Sequence, residues 1–63
     1  MLQLSQVLIA NQELQSFTEL EQALKDYAGA TGEMFFQIDV KPHYPDTPDN
    51  WEDRLEAAFS SYR

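Results

Sequence analysis

With no cysteine anywhere in its 63 residues, this chain has neither a disulfide nor a zinc–thiolate site to hold it. Its core must come from apolar side chains alone. A chain this short buries only about 60% of the surface its unfolded form exposes, and such a core rarely supplies more than about 3–5 kcal/mol. One domain over residues 1–63 is therefore expected, with no room for a deep active site. Self-association or a partner is the remaining route to added stability.

The apolar periodicity sorts the chain into short elements. In residues 2–9, Leu2, Leu4 and Leu8 share one parity while Val7 and Ile9 fall on the other, the pattern of a strand buried on both faces, with a short helix as the alternative. A polar turn at Ala10, Asn11, Gln12 and Glu13 follows. Ser16 with Glu19 three residues on then makes a capping box ahead of the helical stripe Phe17, Leu20, Ala23, Leu24 and Tyr27. Gly29 and Gly32 are expected to stop that helix and turn the chain. From Glu33 the period changes to two. Met34, Phe36, Ile38 and Val40 face one way and Glu33, Gln37, Asp39 and Lys41 the other, which predicts a strand over residues 33–41. Phe35 breaks the alternation by sitting on the polar side, as a satellite core contact or as a partner surface.

All three prolines fall in residues 41–50, KPHYPDTPDN, so this stretch reads as an extended connection. Asp46 or Thr47 is placed to cap the next helix, Pro48 to occupy its first position, and Asp49 and Asn50 its first turn. Trp51, Leu55, Ala58, Phe59 and Tyr62 then form its apolar stripe. The expected architecture is a small α/β domain, β-α-β-α, with a two- or three-stranded sheet packed by two helices; residues 13–16 supply the third strand if they pair. A crossover with parallel strands is the natural arrangement and an antiparallel one the alternative. Either leaves open sheet edges, which are templates for a homodimer or for a target.

Eleven acidic residues against four basic ones set the net charge at −7. This charge repels nucleic-acid phosphates and anionic membrane, so direct nucleic-acid binding is not expected, whereas a protein with a basic surface is attracted and steered in. No apolar run approaches the roughly 18 residues of a membrane span. The opening MLQLSQVLIANQ has neither a basic leader region nor a small-residue cleavage site. A cytoplasmic protein is expected.

The usual tools of catalysis are missing, and the chain does not read as an enzyme. It has one histidine, His43, and no glycine-rich phosphate loop, metalloprotease helix or nucleophile elbow. Ser60 and Ser61 have no evident base. The carboxylates of DTPDNWED lack the glycine and the spacing of a calcium loop, so neither a metal nor another cofactor is expected.

What remains is the acidic last helix. Asp46, Asp49, Glu52, Asp53 and Glu56 cluster with only Arg54 among them. A four-residue helical spacing sets such carboxylates about 6 Å apart on a rigid axis, a geometry that mimics successive phosphates before a basic groove. Acidic first turns also arise from helix-dipole stabilisation, so a merely solvated face is the competing reading. Tyr44, Trp51 and Tyr62 border the cluster as aromatic anchors or, for Trp51, as core.

Two stretches carry a family resemblance. Residues 7–24, VLIANQELQSFTELEQAL, resemble the opening strand, polar turn and serine-capped helix of the barstar family, small acidic intracellular inhibitors of a secreted bacterial ribonuclease. Residues 50–56, NWEDRLE, are similar to that family's Asn-Trp-Asp-Ala-Leu inhibitory helix. The resemblance implies that Glu52 and Glu56 stand where the family places two aspartates that enter the nuclease's phosphate site, with Asn50 at the helix start. It covers less than half of the chain. The strand EMFFQIDVK intervenes, Pro48 and Asp49 replace the family's glycine, Asp53 replaces its alanine, and its later strands have no counterpart.

Together these features point to a small acidic protein-binding regulator, an inhibitor that occupies the basic nucleic-acid-binding surface of a nuclease or another DNA- or RNA-handling protein. Its contact residues would be Tyr44, Asp49, Trp51, Glu52, Asp53 and Glu56, with Trp51, Tyr44 or Phe35 as its anchor. The alternative is a structural or accessory subunit that self-associates, or docks in a larger complex, through its sheet edge and Phe35.

Overall fold

The computed structural model describes residues 1–61, in the order β1 (Leu2–Gln3), α1 (Leu4–Ala10), α2 (Phe17–Thr31), β2 (Phe36–Gln37) and α3 (Trp51–Ser60). Tyr62, placed by its spacing in the last apolar stripe and among the flanking aromatics, lies outside the described residues. The chain is mixed α/β, but its order is β-α-α-β-α and not β-α-β-α. Residues 13–16 form no strand; they belong to the turn into α2, where the Leu14 N–H donates to the Asn11 carbonyl.

The opening strand is much shorter than the two-faced strand expected over residues 2–9. Only Leu2 and Gln3 are extended, and from Leu4 the backbone turns helical. Leu4, Val7 and Leu8 are spaced i, i+3, i+4, so a helix gathers them on one face, with Leu4 and Val7 buried and Leu8 half-buried against the core. Ile9, which a two-faced strand would have buried, is 69% exposed. Both ends of α1 are tied. The Gln3 N–H donates to Gln6 Oε1 at 2.8 Å, the Asp39 carboxylate accepts from the Ser5 N–H and hydroxyl at 3.0 and 2.6 Å, and Asn11 Nδ2 donates to the Val7 carbonyl.

In α2 the Ser16 hydroxyl accepts from the Glu19 N–H as expected, while the Glu19 carboxylate reaches past Ser16 to the Gln15 N–H at 2.7 Å. Phe17, Leu20, Leu24 and Ala28 form its buried face; Tyr27 stays at the surface. The helix runs through Gly29 and ends at Gly32, whose φ of 66° is the left-handed conformation that closes a helix and whose N–H donates to the Ala28 carbonyl.

The strand expected over residues 33–41 pairs only at Phe36–Gln37, parallel to β1 with Leu2 opposite Phe36 and Gln3 opposite Gln37. The physical reason is the partner: β1 ends where α1 begins, so beyond Gln37 no strand remains to pair with. The inward parity holds at Phe36 and Ile38, which pack on the core, and fails at Met34 and Val40, which are exposed.

The proline segment forms no helix, as read, but it is not extended throughout: it turns at residues 45–46, where the Thr47 N–H donates to the Tyr44 carbonyl, and again at residues 49–50, and α3 starts later than expected. Asn50 is its cap residue and makes no side-chain cap bond; Pro48 and Asp49 precede the helix. Leu55, Ala58 and Phe59 pack from α3 against α2, with Trp51 half-buried at the helix start. Phe59 stacks on Phe36 at 5.2 Å between ring centroids, which joins α3 to the sheet. Among the described residues, no helix is long and apolar enough to cross a membrane.

Candidate acidic face and its apolar border

Burial of Leu55, Ala58 and Phe59 decides which side of α3 faces water. Glu52, Asp53 and Glu56 are exposed on the remaining side, and Asp49 is exposed just ahead of the helix. Arg54, set among these acids in the sequence, is turned to α2. Its Nη2 donates to Glu21 Oε1 of α2 at 2.7 Å and its Nε to Oε2 at 3.3 Å, while the guanidinium lies 5.4 Å from the centre of the Phe17 ring. A two-pronged carboxylate contact and an aromatic face hold the group in place. Among the described residues, Asp49, Glu52, Asp53 and Glu56 take part in no salt bridge.

The other residues expected at the site are placed differently. Tyr44 and Trp51 are half-buried and pack against the core, and together with Lys41, Pro42, His43, Thr47, Pro48 and Asp49 they line a groove beside the proline segment. Pro42 is fully buried there. Burial raises the Tyr44 phenol above its ordinary pKa, and the nearby carboxylates of Glu19 and Glu13 add to the shift. Asp46, grouped by sequence with the α3 acids, points elsewhere: its Oδ1 accepts from the Phe17 N–H at the start of α2. His43 is exposed, and among the described residues no group of His, Cys, Asp and Glu is arranged to hold a metal ion.

Phe35 is 67% exposed and Met34 65%. They line a groove with Phe36, Phe59, Ser60 and Glu56, so the exposed aromatic and the acidic helix share one surface. By sequence Phe35 stands either as an anchor for the acidic inhibitor or as a self-association surface, with nothing to set it beside Glu56. The available signal was the three-residue spacing of Glu56 and Phe59, which sets them side by side on a helix. Arg54 carried a signal too, since it lies three residues after Trp51 at the margin of the apolar stripe, where a neighbouring helix packs. Compared with family models, with curated proteins and with solved structures, the chain matches none.

Proposed function

We propose that this chain is a small acidic protein-binding regulator, an inhibitor whose α3 presents Glu52, Asp53 and Glu56 to the basic nucleic-acid-binding surface of a nuclease or another DNA- or RNA-handling protein. The observation that carries this reading is the exposure of Glu52, Asp53 and Glu56 together on α3, none of them in a salt bridge among the described residues. Arg54 is turned instead to Glu21 of α2, at 2.7 Å. The net charge of −7 supplies long-range attraction to such a partner. The similarity of Asn50, Trp51, Glu52 and Glu56 to the barstar inhibitory helix supports the same reading. The test is capture from a lysate of the source cell with the native chain beside a Glu52→Lys, Glu56→Lys variant, at low and moderate salt. A nucleic-acid-handling protein retained by the native chain alone and released by salt is the expected result. Equal retention by both chains overturns it.

Exposure of Phe35 beside the short sheet favours a second reading, an accessory subunit that self-associates or docks in a larger complex. Under that reading Phe35→Asp disperses the assembly and charge reversal on α3 changes little.

A further inference from the structure

The groove lined by Met34, Phe35, Phe36 and Phe59 together with Glu56 and Ser60 sets four apolar side chains beside an acidic one. We propose that it takes an apolar side chain, aromatic or leucine, from a basic segment of the partner, whose neighbouring Lys or Arg residues meet Glu56 and Glu52. This rests on the acidic-regulator reading and states the partner's chemistry: a basic amphipathic peptide segment and not a uniformly basic one.

Size supports a single composite surface. A standard interface buries roughly 800 Å² per partner, a patch about 28 Å across, and the molecule measures 29 × 22 × 18 Å along its principal axes. A partner centred on α3 therefore covers the groove as well. Glu52, Glu56 and Ser60 follow one another at four-residue intervals, so the acidic line of the helix runs into the groove without a break. Charge then selects the occupant. A second copy docked about a two-fold axis would set this patch against itself, bringing two Glu56 carboxylates and two chains of net charge −7 together. A basic segment brings the opposite sign.

The probe is a pair of synthetic peptides of equal positive charge, one a Lys-rich amphipathic sequence with Trp and Leu on one helical face, the other with those residues replaced by Ala. Both are titrated into the isotope-labelled full chain at low salt and followed by amide shifts. The expected result is binding of the Trp/Leu peptide at least about tenfold tighter than its Ala counterpart, the scale of an interface anchor, with shifts at Phe35, Phe59 and Glu56. Phe35→Ser erases that difference, as does Met34→Ser. Both residues are exposed, so the core survives either change. A Glu52→Lys, Asp53→Lys variant, which leaves the groove intact, weakens both peptides.

Equal binding of the two peptides, with shifts confined to the exposed side of α3, overturns the groove and leaves the acidic-face reading standing. Binding of neither peptide overturns both. Sedimentation of the free chain as a dimer whose Phe35 is covered assigns the groove to a second copy and overturns the proposal.

Discussion

The carboxylate of Asp46 accepts a 2.7 Å hydrogen bond from the backbone N–H of Phe17, a residue 29 positions earlier. The proline segment thus caps the helix before it in the chain and not the one after it. With Ser16 bonded to the Glu19 N–H, two acceptors serve the amide groups at the start of α2, where the helix dipole favours negative charge. Asp46→Ala should cost about 1–2 kcal/mol. In a domain of this size that lowers the melting temperature by roughly 4–8 °C per kcal/mol. Thermal unfolding followed by circular dichroism measures it, and a variant as stable as the native chain would show that the bond contributes nothing.

Asp39 forms the matching tie at α1. The Ser5 hydroxyl, and then the Ser5 backbone N–H, hold its carboxyl below its ordinary pKa. A depressed folded-state pKa stabilises the native chain above the unfolded carboxylate pKa, and the contribution is lost as pH falls through the folded value. Asp39→Asn should therefore be less stable than the native chain near neutrality, with the difference shrinking once acid protonates Asp39. Denaturant midpoints measured from pH 7 down to about pH 2 test the sign; a constant or growing gap contradicts it.

Thr47 Oγ1 is buried with no hydrogen-bond partner among the described residues. Replacing an unsatisfied hydroxyl by a methyl group of the same shape removes a desolvation cost. Thr47→Val is expected to be neutral or stabilising by up to about 1 kcal/mol. Urea titration decides, and a loss of that size would mean that the hydroxyl is bonded in solution.

Glu21 governs the acidic face from another helix. Its pair with Arg54 is partly exposed, with side-chain accessibilities of 18% and 45%, so Glu21→Gln should cost less than about 1 kcal/mol in stability. Affinity for a Lys-rich peptide should fall, because the chain then carries one negative charge fewer and the Arg54 cation is no longer paired. Adding Arg54→Gln should restore that affinity. Isothermal titration of the single and double variants separates the two effects, and a double variant no tighter than the single one refutes the coupling.

The amino-acid sequence determined the features that local chemistry controls. The apolar stripe Phe17, Leu20 and Leu24, the Ser16 cap, the turn at Gly32 and the inward parity of Phe36 and Ile38 follow from side-chain spacing and backbone preference within a few residues, and so does exposure of Glu52, Asp53 and Glu56 outside the stripe of Leu55, Ala58 and Phe59. Tertiary structure decided the rest. Residues 2–9 satisfy a two-faced strand and an amphipathic helix almost equally. The helix prevails where Asp39, far along the chain, caps Ser5, and the loss of that strand leaves β2 with a partner only at Leu2 and Gln3. Asp46 and Arg54 were placed by sequence among the α3 acids, yet each is bound to α2 instead. The union of Phe35 with Glu56 in one groove likewise depends on the stacking of Phe36 on Phe59. Hydrogen bonds, ion pairs and ring contacts between distant residues depend on which surfaces the packed core brings together, and periodicity along the chain holds no record of that.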